Sequence, residues 1–285
     1  MREASCTIED VQGPLTLGYV EWGDPEAART VLCLHGLTRN ARDFDGLART
    51  LADDLRVIAL DVAGRGRSGR LADPARYAVP TYVGHAAAFM AALGLAEVDL
   101  VGTSMGGIIG MALAAAPTPP GARPAVRRLV LNDIGGWVPK EALAPIGAYL
   151  GAPPETFPDL PALERHLRYI HQGFGPLTDE QWAHLARHSA RAVQGGFVMH
   201  YDPAIATPFL AGAAADLDLW VLYDAVTCPT LVLRGAESIL LPADVAEAMT
   251  RRGPKAELVT FAGIGHAPAL MAADQIETIR RFLAA

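Results

Sequence analysis

Ser104 stands at the centre of Gly102-Thr103-Ser104-Met105-Gly106, a G-x-S-x-G run that follows the apolar stretch Val98 to Val101 and leads into the apolar stretch Ile108 to Ala116. A serine on a sharp strand-to-helix turn is held in strained backbone geometry with its hydroxyl exposed. The residues two before and two after it must be small to clear the neighbouring backbone, and Gly102 and Gly106 supply that room. The chemistry served by this spacing is attack of a hydroxyl on an acyl carbon.

A serine hydroxyl is a weak nucleophile until a base takes its proton. His266, in Gly263-Ile264-Gly265-His266-Ala267-Pro268, lies between the last strand-like stretch and the final helix-like one. Loops that leave the carboxyl ends of parallel strands gather at one edge of the sheet, where the Ser104 turn also points, so His266 is the expected base. An isolated loop histidine more often caps a helix; the upstream serine turn and the glycine-rich flanks decide between the two readings. The oxyanion formed on attack needs preorganised donors. The Met105 amide, directly after the serine, is one, and the Leu37 amide, in His35-Gly36-Leu37-Thr38 after the strand-like Val31 to Leu34, is the other. His35 is expected to be a hydrogen-bonding support beneath that loop.

Positioning these groups requires alternating strands and helices, the pattern of a mainly parallel sheet covered on both faces. Strands are expected at Thr30 to Leu34, Arg56 to Leu60, Val98 to Val101, Arg127 to Asn132, Thr230 to Arg234 and Ala256 to Phe261. Helices are expected at Ala41 to Ala52, Thr81 to Leu93, Ser104 to Ala116, Pro242 to Arg252 and Asp274 to Leu283. Ser5 to Glu9 and Leu15 to Glu21 read as an antiparallel hairpin joined at Gly13-Pro14. The alternation breaks between Trp137 and about Ala215, where proline and glycine punctuate helix-like pieces such as Leu160 to Gln172 and Thr178 to Val193. The expected organisation is a core of residues 1–136 and 216–285 with a helical cap, 137–215, inserted between the sixth and seventh strands of the core.

The composition bounds the function. The 285 residues, 51% hydrophobic and 19% charged, describe a globular chain long enough for one large α/β domain with an insertion. A net charge of −7 with scattered arginines leaves no basic footprint for nucleic acid or an anionic membrane. Met1 to Cys6 lacks an apolar signal region and the longest apolar stretch is too short to cross a bilayer, so a cytoplasmic protein without a membrane partner is expected. Cys6, Cys33 and Cys228 are odd in number and lack CxxC spacing, which argues against a disulfide scaffold or a zinc ribbon and reads them as small buried hydrophobes.

His35-Gly36, Asp61-Val62-Ala63-Gly64-Arg65-Gly66-Arg67-Ser68, Gly102-Thr103-Ser104-Met105-Gly106 and Gly265-His266 occur in this order, and on them the chain resembles the α/β-hydrolase superfamily, in particular a capped esterase-type member. The resemblance covers the core and constrains the cap least. It implies an α/β-hydrolase fold with a mostly parallel eight-stranded sheet flanked by helices, a serine–acid–histidine triad in that chain order, no cofactor and no metal, and a pocket for a small-molecule ester between core and cap. Relatives usually carry the acid a few residues beyond the glycine that ends the penultimate strand, yet here Gly235 is followed by Ala236-Glu237-Ser238-Ile239. Two substitutes stand open: Asp133, at the end of the neighbouring strand, and Glu237, on the usual loop with a longer side chain. Either would orient the imidazole; the third alternative is that neither serves and the site has no functional acid.

Gly64, Gly66 and Gly69 satisfy G-x-G-x-x-G after a strand, a dinucleotide-binding pattern. Pro74 and Pro80 interrupt the helix that should follow, and no acidic residue stands near the ribose position around Phe89, so a structural turn is the preferred reading. Arg39, Asn40, Trp137 and His200 are candidates for substrate contact. Tyr149, Phe157, Phe174, Trp182, Phe197, Met199 and Phe209 are candidate wall residues whose ordinary role is to pack cap helices together. The expected activity is serine-dependent hydrolysis of carboxylic esters. Alternatives are a lactone, thioester or carbon–carbon substrate for the same residues, and a ligand-binding receptor of weak hydrolytic power.

Overall fold

The computed structural model describes residues 1–117, 125–212 and 215–285. Its frame is an eight-stranded sheet. In chain order the strands are β1 (Arg2–Asp10), β2 (Gly13–Trp22), β3 (Thr30–Leu34), β4 (Arg56–Leu60), β5 (Val98–Thr103), β6 (Val126–Asn132), β7 (Thr230–Gly235) and β8 (Glu257–Phe261). Their spatial order is β1-β2-β4-β3-β5-β6-β7-β8. β2 runs antiparallel to β1 and β4, and every pairing from β4 to β8 is parallel.

The central strands read as unbroken apolar runs because both faces are covered. In β3, Val31, Leu32, Cys33 and Leu34 are all fully buried. Leu32 and Leu34 meet α2 (Val79–Ala92) and α3 (Met105–Ala115) in one core, whereas Val31 and Cys33 meet α1 (Asp45–Leu51) and the C-terminal helix in the other. Cys33 and Cys228 are buried as expected, while Cys6 is partly exposed.

Element positions follow the sequence reading with local shifts. The β1–β2 hairpin turns at Val11-Gln12, not at Gly13-Pro14; Gly13 already pairs with Asp10, at φ 108°. Pro14 is tolerated in β2 because β4 pairs only with Tyr19 to Trp22, leaving no second ladder for the missing N–H to join. The expected Ala41 to Ala52 helix begins as a 3-10 turn, Ala41–Phe44, capped by the Asn40 side chain, before α1 proper.

Between β6 and β7 the chain forms α4 (Lys140–Leu150), α5 (Leu160–Ile170), α6 (Asp179–Ser189), α7 (Ala206–Gly212) and α8 (Trp220–Asp224). The Thr178 to Val193 stretch is helical only to Ser189; Ala190–Val193 pairs with Gly196–Met199 as a short ribbon. A second ribbon, Trp137–Val138 against Leu217–Asp218, closes the base of the insertion. Residues 213–214 of the expected cap lie outside the described residues. Beyond β7 come α9 (Ala243–Met249) and α10 (Ala273–Ala284). Among the described residues no helix is long and apolar enough to cross a membrane.

Candidate active site

Ser104 occupies the turn from β5 into α3 with φ 52° and ψ −115°, a conformation uncommon for a side-chain-bearing residue. A Cβ on Gly106 would fall 2.0 Å from the Leu34 carbonyl oxygen, and one on Gly102 would fall 2.4 Å from that of Gly106. The two glycines are therefore required by close backbone approach. The Ser104 amide donates to the Asn132 carbonyl at 3.0 Å, fastening the turn to the end of β6.

That strand end carries Asp133, fully buried at φ 56°, a backbone region Asp tolerates better than most residues. Oδ1 accepts the Gly235 amide at 2.9 Å, and Oδ2 accepts the Ser238 hydroxyl at 2.5 Å. His266 Nδ1 lies 2.7 Å from the same Oδ2, and His266 Nε2 lies 3.0 Å from Ser104 Oγ. An ionised carboxylate only accepts, so Nδ1 carries the proton and Nε2 is free to accept from the serine. The arrangement can move a proton from the hydroxyl to the imidazole while the carboxylate holds the ring. Glu237, the alternative acid, is exposed and outside this array.

The loop after β3 lies beside the serine. His35 is fully buried; its Nε2 accepts the Val62 amide at 2.9 Å and its Nδ1 faces the Gly36 carbonyl at 2.7 Å. Burial, first of all, pushes its pKa down to about 4, which keeps it neutral. Asp61 accepts the Ala41 and Arg67 amides at 2.8 and 2.9 Å, and burial pushes its pKa up to about 6. A Cβ on Gly66 would meet the Asp61 carboxylate at 2.2 Å, and one on Gly64 would meet the Tyr77 ring at 2.6 Å. The glycines of the G-x-G-x-x-G run thus make room for the protein's own side chains.

Ser104, Leu37 and Met105 open onto a cavity of about 250 Å³. Its walls come from α2, α3, α4, α7 and the Val138–Leu217 ribbon, and among the described residues no lining residue is charged. Of the aromatic wall candidates, Phe209 reaches the cavity. Phe157 and Trp182 instead bury themselves with Leu163, Leu167 and Leu185, and Phe174, Phe197 and Met199 pack against that cluster. Trp137 and Tyr149 pack against the main core.

The four expected substrate contacts are absent from the lining of this cavity, and the side chains of Arg39 and Asn40 are bonded elsewhere. Arg39 is buried, paired with Asp43 at 2.7 Å, and donates to Ser189 Oγ at 3.0 Å. Asn40 Nδ2 donates to the His188 carbonyl at 3.0 Å. Both therefore brace the core against the insertion. The His200 backbone is tied to Ser189 and Gly66, and Trp137 stands on the ribbon whose next residue, Val138, reaches the cavity instead.

Asp45, His184 and His188 have ligand atoms within 4.8 Å of one another. Arg42 already holds Asp45 at 2.7 Å, and His184 Nε2 faces the Arg42 carbonyl at 3.0 Å. The Asp45 carboxylate that a cation would need is thus already paired with a guanidinium.

The model of the alpha/beta hydrolase fold family matches residues 29–180. The chain belongs to that family. This α/β hydrolase is 43% identical over 277 residues to the 3-hydroxybutyrate-oligomer hydrolase of Cupriavidus necator, covering 93% of this chain and 92% of that protein. The 2-(acetamidomethylene)succinate hydrolase of Mesorhizobium japonicum is 28% identical over 89% of this chain and 86% of its own. Among solved structures, an alpha/beta hydrolase from Novosphingobium aromaticivorans superposes with a TM-score of 0.87 at 38% identity, covering 99% of this chain and 98% of that one. The sequence reading of this α/β hydrolase assigned no part to Ser238, Tyr82 or Arg65. Ser238 carried a usable signal, a short donor at the place where relatives hold an acid.

Proposed function

We propose that this α/β hydrolase cleaves carboxylic esters through an acyl-enzyme on Ser104. His266 takes the hydroxyl proton as Ser104 attacks the carbonyl carbon, and returns it to the departing alkoxide. A water then attacks the acyl carbon with His266 again as base, releasing the acid and restoring the serine. Asp133 fixes the imidazole and stabilises its protonated form; the Leu37 and Met105 amides hold the oxyanion. The observation that carries this reading is the Ser104–His266–Asp133 chain of contacts at 3.0 and 2.7 Å.

The substrate we favour is a short oligoester of hydroxy acids. The similarity to a 3-hydroxybutyrate-oligomer hydrolase supports it; the cavity of about 250 Å³ beside the serine, uncharged among its described lining residues, suits the hydroxyacyl portion, with the terminal carboxylate left on the alcohol side outside it. The segment from Trp137, whose neck is the ribbon with Leu217–Asp218, is taken as the cap that walls this cavity.

Steady-state hydrolysis of p-nitrophenyl butyrate by wild type and Ser104→Ala, followed by the 3-hydroxybutyrate dimer, tests the proposal. Turnover of both esters that disappears with Ser104 is the expected result. Turnover surviving in Ser104→Ala would refute the nucleophile, and turnover of the simple ester without the dimer would refute the oligoester.

A further inference from the structure

Arg65 is the largest fully buried side chain of the protein's described residues, with no exposed surface. Its Nε donates to the Leu37 carbonyl at 2.8 Å. Nη1 donates to the Ala63 carbonyl and to Tyr82 Oη, both at 2.7 Å, and Nη2 lies 3.9 Å from Met105 Sδ. The guanidinium carbon sits 4.9 Å from the centre of the Tyr82 ring and 5.7 Å from that of Tyr77. These hydrogen-bond partners are all neutral. Asp202 is linked to this cluster through the Tyr77 hydroxyl, which donates to its Oδ2 at 2.7 Å.

A buried cation whose described partners are carbonyls, a phenol, ring faces and a thioether is costly, and an apolar side chain of equal length would fill the space without that cost. Its placement gives the charge a use. Arg65 touches both Leu37 and Met105, the residues whose amides are assigned to the oxyanion, and they come from loops 68 residues apart in sequence only because β3 and β5 are neighbours. The positive charge also reaches His35 under the same loop, where it helps hold the imidazole neutral. Fixed dipoles and charges aimed at developing negative charge act strongly in a dry, low-dielectric surround.

We propose that Arg65 is a positioning residue of the oxyanion hole: it ties the Leu37 loop to the start of α3 and sets a buried positive charge behind the point where the oxyanion forms. The proposal rests on the reading of Ser104 as the nucleophile. It treats the G-x-G-x-x-G turn as the device that delivers this charge. Gly64 and Gly66, at φ 80° and 49°, flank Arg65 and turn it inward, away from the course of β4.

The test compares Arg65→Met and Arg65→Lys with wild type in the full-length protein. The measurements are kcat and KM for p-nitrophenyl butyrate, Ki for butylboronic acid, the rate at which a fluorophosphonate labels Ser104, and thermal stability. Active-site titration normalises each rate to folded enzyme. Arg65→Met is expected to lose about 30-fold in kcat and in labelling rate with KM within about threefold, while Ki for the anionic boronate adduct rises in step. Arg65→Lys, which keeps the charge and loses the fork, is expected to recover about half of that loss on a logarithmic scale. Normalised rates and Ki within twofold of wild type in both variants would overturn the proposal, as would losses confined to the unfolded fraction. If Arg65→Met does not fold, Arg65→Lys decides: a loss of kcat with a matching rise in Ki supports the proposal, and neither refutes it. Failure of the ester reading is separate, because it leaves wild type without ester turnover while the Ser104 labelling rates of the variants still decide the role of Arg65.

Discussion

The Ser238 hydroxyl donates to Asp133 Oδ2 at 2.5 Å, the same oxygen that faces His266 Nδ1. Ser238 stands on the loop after β7, and the carboxylate that meets His266 Nδ1 comes from the end of β6. β6 and β7 are paired neighbours, so moving the acid from one strand end to the next shifts it sideways along one sheet edge and keeps it within reach of the same imidazole. The vacated loop supplies a donor: the Ser238 hydroxyl and the Gly235 amide solvate the buried charge.

Asp133→Asn is accordingly expected to lower kcat by up to about 10⁴-fold, because an amide in place of the carboxylate favours the wrong imidazole tautomer and gives no support to the imidazolium. Glu237→Gln, altering an exposed side chain on the same loop, is expected to leave kcat within twofold. Steady-state assays of the two variants side by side decide the acid, and the opposite pattern would move it to Glu237.

Ser238→Ala removes one donor from a fully buried carboxylate while leaving the Gly235 amide in place. A hydrogen bond to a charged group contributes about 1.5–3 kcal/mol, so a loss of about 2 kcal/mol in unfolding free energy at neutral pH is expected. A fall in kcat of no more than about tenfold should accompany it, since the His266 contact survives. Denaturant unfolding and steady-state kinetics of the variant check both; a drop as large as that of Asp133→Asn would mean that Ser238 itself is needed to seat the carboxylate.

The sheet and the serine turn were legible because their determinants are local: apolar runs for strands buried on both faces, and glycines where a Cβ has no room. Asp133 was legible only as one of two candidates, since choosing between them depends on which strand end meets the His266 loop. Arg39 and Asn40 were read as candidate substrate contacts because they follow the loop that carries Leu37, and nothing local in the sequence shows the bonds they make to the insertion. Their partners, Ser189 and the His188 carbonyl, are about 150 residues away in the chain. The aromatic residues of the insertion carried no signal separating cavity walls from helix packing, since both roles select large apolar side chains.

Among the described residues no charged side chain lines the cavity, and the nearby Arg65 has no exposed surface. A carboxylate at the far end of an acyl chain would therefore be desolvated without a partner on entering. p-Nitrophenyl hemisuccinate is expected to show a kcat/KM at least about 100-fold below that of p-nitrophenyl butyrate, with the difference persisting at high salt. Near-equal values would show that the acyl chain lies outside this cavity.

His35 makes the stability depend on pH in a definite direction. Its pKa falls from an ordinary 6.5 to about 4 in the folded protein, so the fold favours the neutral ring. The associated stabilisation is full above pH 6.5 and is lost as pH falls from there toward 4, amounting to about 2–3 kcal/mol by pH 4.5. Asp61 acts oppositely: its pKa is raised to about 6, so its penalty is present above pH 6 and is relieved as pH falls toward 3.8. Comparing wild type with His35→Gln cancels the Asp61 contribution. Urea unfolding at pH 7.0 and 4.5 should show the wild-type advantage shrinking by about 2–3 kcal/mol at the lower pH. An advantage of the same size at both values would mean that His35 is not held neutral beneath the Leu37 loop.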